Sequence, residues 1–435
     1  MYPGQVKIIA ERNAPRLNYT AGLILGDILG LDWEIITDLN DRGDYPLINY
    51  SSILVPGSFK IQPFPLLFEY GIRPVEISVS DWNGLPVIFH STSDSDIPFD
   101  IFASSFYLVS RYEEYLEYQP DKHGRFAGSS SIAYRNGFLT IPVVDLWAKA
   151  FADLLSAKYP WLVFRKREYK ALLTIDSDQP FAYKGKGLLR TMGGLVHDIA
   201  VWPRNSFERL RVLSGKSSDP FAVYDYIISN IEETSSDAKF FFPAGKLSDY
   251  DRNPSWKNQE YRNLIRETGE KYVAGLHPSY YASENSQVFR TEKDRLQSVL
   301  GREINISRFH FIRFKLPGSY KMLIDEGISE DHSMGYPDEP GFRAGIAGPF
   351  MFYDLEEEKT SGLKVVPFQV MDATLYQYRQ LDPDLAEELI LKLISETRKA
   401  GGLFVSLWHN TSLQDKPEWQ GWRRLFEKML KIQQT

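Results

Sequence analysis

ALLTIDSDQP, residues 171–180, decides how this 435-residue chain is read. An apolar, strand-favouring run ends in two aspartates one residue apart, Asp176 and Asp178, and a proline closes the segment. A short continuous apolar run suits a strand buried on both faces, as in a parallel sheet. Side chains alternate across a strand, so the two aspartates share one face. At the carboxyl end of a strand in a parallel barrel, that face opens into a cleft. Two carboxylates held close together repel unless a proton or a cation lies between them.

Downstream of 170 the pattern alternates strand and helix. Further strands are predicted at 238–244 (AKFFFPA), 271–277 (KYVAGLH), 306–314 (ISRFHFIRF), 342–347 (FRAGIA), 363–371 (LKVVPFQVM) and 402–409 (GLFVSLWH). Helices are predicted between them. Asp219-Pro220 and Asp382-Pro383 have the form of an N-cap followed by a first-turn proline. Seven strands alternating with helices predict a parallel (β/α) barrel over 165–435. Residues 1–155 read as a smaller mixed α/β domain, with Asn136-Gly137 as a hairpin turn and a charged stretch, 156–170, as the boundary. This first domain shows no convergent set of acids and histidines, so its expected contribution is binding surface or stability.

Composition narrows the class. A hydrophobic share of 43% and a charged share of 25% are those of a globular protein. The net charge of −7 lacks the basic footprint of a nucleic-acid or anionic-membrane binder. No apolar run reaches 18 residues, so no membrane-spanning helix is expected. The N-terminus does not read as a secretory signal, which sets a cytoplasmic expectation. The chain has no cysteine, so any metal must be held by His, Asp or Glu. The oligomeric state is not legible.

At the predicted strand ends stand Asp176, Asp178, His277, Arg313, Arg343, Asp372 and His409. Acids, histidines and arginines gathered at one end of a barrel constitute a site by position. Arg313, Asp372 and Trp408 are the candidates for substrate contact.

These segments resemble the motifs of a known family. LLTIDSDQP is similar to the first motif of the polysaccharide deacetylases of carbohydrate esterase family four, the NodB homology domain. GLHPSYYAS (275–283) resembles the second motif, GFRAGIAGPF (341–350) the third, and VSLWHNTS (405–412) the last. The chain also resembles bacterial proteins in which an uncharacterised domain precedes such a barrel. The resemblance covers roughly 170–435 and implies a distorted seven-stranded (β/α) barrel. It implies removal of acetyl groups from a sugar or glycan with a divalent metal, most often zinc. Asp176 is then the general base, Asp178 and His277 are metal ligands, Arg343 orients the base, and His409 is the general acid.

One position departs from the family. The second motif offers histidines at i and i+4, but position i+4 from His277 is Tyr281. Tyrosine, with a reference pKa near 10, is a poor ligand at neutral pH. His310, Asp372 or water remain for the third place. If 306–314 is a regular strand, alternation turns His310 away from the face that carries Arg313. The expectation is therefore a weakened site at Asp178 and His277. Two other functions stay open: an inactive barrel that binds a glycan or partner, and a metal-free glycoside hydrolase using paired carboxylates.

Overall fold

The computed structural model describes residues 4–91, 94–201 and 203–434. The chain opens with a parallel four-stranded sheet, in the order β2-β1-β3-β4. Its strands are β1 (Gln5–Ala10), β2 (Asp32–Ile36), β3 (Leu47–Tyr50) and β4 (Phe59–Lys60). A small hairpin, β5 (Ser80–Trp82) with β6 (Leu85–Val87), follows. Two helices pack beside them. Ile101–Val109 is buried along its whole length and is capped by the Asp100 carboxylate, which accepts from the Ala103 N–H at 3.0 Å. Val143–Lys158 buries Trp147, Phe151 and Leu155. Asn136-Gly137 does not turn a hairpin. It ends the short helix Ile132–Arg135, with Gly137 at φ 73°. A helix end and a tight hairpin both need a residue at positive φ, so the dipeptide fits either.

The rest of the chain builds a nine-stranded sheet. Its strands are β7 (Lys170–Asp176), β8 (Ala238–Phe242), β9 (Val273–Leu276), β10 (Ile306–Ser307), β11 (Glu330–Asp331), β12 (Phe350–Asp354), β13 (Lys359–Val365), β14 (Val370–Met371) and β15 (Leu403–His409). Their order is β12-β13-β11-β10-β9-β8-β7-β15-β14. Every ladder is parallel except β12 with β13. The sheet curls into a distorted (β/α) barrel. Among the described residues no ladder joins its end strands, β12 and β14. β7 lies inside the sheet between β8 and β15, with Asp176 in register with Phe241 on one side and His409 on the other. Its apolar residues are buried, as the opening sequence requires.

Three predicted elements change. FRAGIA forms turns, and β11 with the β12–β13 hairpin provides strands instead. LKVVPFQVM divides into β13 and β14 around Pro367, which has no N–H for a ladder. Asp219 does not cap the following helix, which begins at Tyr224. Its carboxylate accepts from the backbone N–H groups of Ala182, Tyr183 and Lys184 at 2.6–3.0 Å, fixing the loop after β7. At Asp382 the cap is as predicted: the carboxylate accepts from the Asp384 and Leu385 N–H groups, and the helix Pro383–Ala400 follows.

One hydrophobic core runs from Val6 to Leu430 through both parts of the chain. A buried ionic cluster is embedded in it. Glu114 takes the Arg343 guanidinium at 2.9 and 2.6 Å and Arg111 at 2.7 Å, while Arg111 also reaches Glu113 at 2.9 Å and the Tyr336 hydroxyl at 2.8 Å. All five side chains are buried.

Candidate active site

The carboxyl ends of β7, β9, β14 and β15 and the turn after β10 meet in one cleft. Asp176 and Asp178 come from β7 and the residues just after it. Asp178 Oδ1 lies 3.0 Å from His277 Nε2, and its Oδ2 lies 3.4 Å from His310 Nε2 and 3.7 Å from His409 Nε2. Three imidazoles thus converge on one carboxylate.

The far nitrogen of each ring is fixed. His277 Nδ1 is 2.7 Å from the Arg308 carbonyl oxygen, which can only accept, so this nitrogen carries the proton. His310 Nδ1 is held by Asp251 Oδ1 at 2.9 Å, and His409 Nδ1 by Asp372 Oδ1 at 2.6 Å. Such outer partners orient metal-binding histidines and raise their basicity. With Nδ1 protonated, His277 Nε2 points a lone pair at a carboxylate oxygen 3.0 Å away. Neither atom makes a hydrogen bond, and both are buried. Two facing lone pairs out of water are stable only with a proton or a metal cation between them.

The charge states agree. Burial alone would raise the Asp178 carboxyl, but the surrounding histidines hold it well below the usual carboxylate range. Burial likewise opposes charge on His310, yet Asp178 and Asp251 push it up to about 9. Asp372, then Asp178 and Asp176, push His409 up to about 10.

Asp178, His277 and His310 bring one ligand atom each to within 4.8 Å of one another. Two imidazoles and one carboxylate, with a side open to the cleft, are the donor set of a catalytic zinc site. The residues present therefore fit a divalent metal. Asp176 stands beside this trio, with Oδ2 3.9 Å from His277 Nε2 and Oδ1 paired to Arg308 at 2.9 Å. Arg308 is wholly buried, its guanidinium stacked 4.6 Å from the Phe241 ring centroid.

Several expectations need correction. The strand that was to turn His310 away ends at Ser307. Residues 310–312 form a tight turn in which Phe311 and Ile312 adopt φ of 59° and 53°. Strand alternation does not apply there, and the turn aims His310 at Asp178. Tyr281 is 55% exposed and packs against Tyr250 and Tyr280, away from the trio. Arg343 does not pair with Asp176, because Glu114 holds it; Arg308 pairs with Asp176 instead. Arg313 pairs with Glu284 at 2.6 Å and does not line the cleft. Trp408 is buried against Phe426 on the other face of β15. Asp372 is buried and engaged by His409 and by the Ser412 hydroxyl, so it supports the histidine.

The cleft wall is aromatic and basic instead. Tyr250, Tyr376, Tyr378 and Trp419 line it, with Arg125 and Arg252. Arg125 comes from the first part of the chain. It donates to the Phe311 carbonyl at 2.5 Å and the Tyr378 hydroxyl at 3.2 Å, so it also braces the turn that carries His310. Asp251 gave no sequence signal beyond its place in a polar loop.

Residues 6–160 match a family of unknown function, DUF7033. No curated protein matches the chain. Among solved structures, a putative polysaccharide deacetylase from Mycobacterium smegmatis is similar at 14% identity and TM-score 0.41, over 62% of this chain and 86% of that one. A probable polysaccharide deacetylase from Pseudomonas aeruginosa follows at 10% identity and TM-score 0.38, over 61% and 85%. A CE4 family pseudoenzyme from Bacillus anthracis is similar at 9% identity and TM-score 0.32, over 61% and 60%. At such levels the likeness concerns the path of the chain, and the chemistry rests on the site.

Proposed function

We propose that this protein is a metal-dependent deacetylase that removes acetyl groups from a sugar or glycan. The observation that carries the reading is the convergence of three histidine Nε2 atoms on Asp178, each ring fixed from behind by an acceptor at Nδ1. Asp178, His277 and His310 would hold the ion, with zinc the first choice for this donor set. A bound divalent ion supplies Lewis acidity toward a carbonyl oxygen and lowers the pKa of water.

The chain's own residues supply the rest. Asp176 keeps Oδ1 on Arg308, which leaves Oδ2 to take the proton of the attacking water. His409 is charged at neutral pH because Asp372 stabilises its cation. It is therefore ready to give a proton to the leaving amine. The aromatic wall suits the apolar faces of sugar rings. Residues 1–155 act as a brace and as one wall of the cleft in front of the barrel of 165–435, and Arg125 supports this role.

The test combines metal content with acetate release from acetylated sugars. Asp176→Asn should keep its metal and lose turnover, whereas Asp178→Asn should lose both. Equal metal loss in the two variants would overturn the roles assigned to them.

A further inference from the structure

Between β7 and β8 the barrel carries a helical hairpin, Leu188–Val201 followed by Pro203–Leu213. Its polarity is inverted. The contact between its helices buries an ion pair, Asp198 with Arg209 at 2.7 Å, both 7% exposed. Gly194 makes room for it, since a Cβ there would come within 2.8 Å of the Arg209 guanidinium. Val212 is buried against Ala182 and Tyr183, but six other apolar residues point outward: Met192, Val196 and Ile199 are 57–68% exposed, and Phe207, Leu210 and Leu213 are 42–65% exposed. Positions 192, 196 and 199 fall on one helical stripe, as do 207, 210 and 213. Soluble surfaces rarely expose so many large apolar groups together.

Charge selects the occupant. Residues 184–216 contain seven Lys and Arg against two acidic residues, a net of +5 in a chain of −7. A second copy of the hairpin would bring two segments of net positive charge together, which is unfavourable. A helix pair with exposed apolar side chains, in a segment of net positive charge, suits the surface of an anionic bilayer, where the apolar side chains sit about 5–10 Å deep among the headgroups.

We infer that the hairpin 188–213 docks this protein on an anionic membrane surface. The overall negative charge does not oppose this, because the interaction is local and screened beyond about 10 Å. Docking also positions the cleft. Glu208, on the hairpin, accepts from Lys416 at 3.4 Å, and the loop bearing Lys416 also bears Thr411, Ser412 and Trp419 of the cleft wall. The candidate site therefore opens near the membrane, in reach of a glycan carried there.

The test is co-sedimentation of the full chain with vesicles of phosphatidylcholine alone or with 30% phosphatidylglycerol. Binding is expected to the anionic vesicles only, and to weaken with added salt. Val196→Glu with Phe207→Glu should lower the bound fraction at least about tenfold, with metal content and melting temperature unchanged. Binding needs no turnover, so it is judged separately from the deacetylase reading. Absence of binding, equal binding to neutral vesicles, or a solution dimer dissolved by the same substitutions would overturn the inference.

Discussion

Replacing His310 with alanine tests the site most directly. The substitution removes one of three donors, the one whose Nε2 stands 3.4 Å from Asp178 Oδ2. It leaves no orphan behind, because Asp251 keeps the Tyr280 N–H at 3.0 Å and the Ser248 hydroxyl at 2.5 Å. Four-ligand structural zinc sites bind with about 10–16 kcal/mol. That is about 3 kcal/mol for each ligand, or roughly a hundredfold in affinity. A second effect follows from the proton on His310. In the metal-free protein it is retained up to about pH 9, so at neutral pH an incoming ion must displace it. From that proton alone the apparent affinity rises about tenfold per pH unit. The variant has no such proton, and its plot of log affinity against pH should be shallower by about one. Competition titration of zinc against a chromophoric chelator between pH 6 and 8 measures both quantities. Tyr281→Phe is the control and should bind as the natural chain does, since Tyr281 is exposed and away from the trio. Unchanged affinity and slope in His310→Ala would refute the reasoning, as would metal loss in Tyr281→Phe.

Two further outcomes follow from the same geometry. His409→Ala should lower the rate by ~10²–10⁴ with metal retained. Asp372→Asn should move the alkaline limb of the pH–rate profile toward lower pH. The reason is that Asp372 is the first cause raising His409 to about 10, and an acid catalyst is lost as pH rises through its pKa. An unmoved limb would separate Asp372 from the acid. Glu114→Ala leaves Arg111 and Arg343 buried without their shared carboxylate, and breaking such a pair costs about 3–5 kcal/mol. At about 2.1 cal/mol/K per residue this lowers Tm by roughly 3–5 °C, which calorimetry measures.

What could be read in the sequence was what regular strands carry. β7, β8, β9 and β15 announce themselves by apolar runs, and Asp176, Asp178, His277 and His409 lie at their ends because a parallel barrel places strand ends together. The irregular parts were hidden. His310 sits in a turn whose positive φ values fall on Phe311 and Ile312, residues that seldom adopt them and so give no turn signal. Arg308 and Arg343 could not be told apart from sequence. Arg308 falls inside the predicted strand 306–314 and Arg343 inside the predicted strand 342–347, and only tertiary packing decides that one faces Asp176 and the other Glu114. Asp251 acts from a loop, where spacing carries no periodicity to read.

The position of β7 bears on how the protein is made. Its two neighbours in the sheet are β8, which follows soon after, and β15, which begins at Leu403. During synthesis at about 5–20 residues per second, one edge of this apolar strand therefore waits roughly 10–45 s for its partner. An unpaired apolar edge is a template for wrong pairing, so the nascent chain is at its most aggregation-prone over that interval. The same delay bears on the proposed chemistry: His409 is the last residue of the final strand, so a chain truncated before it lacks the group proposed as the acid.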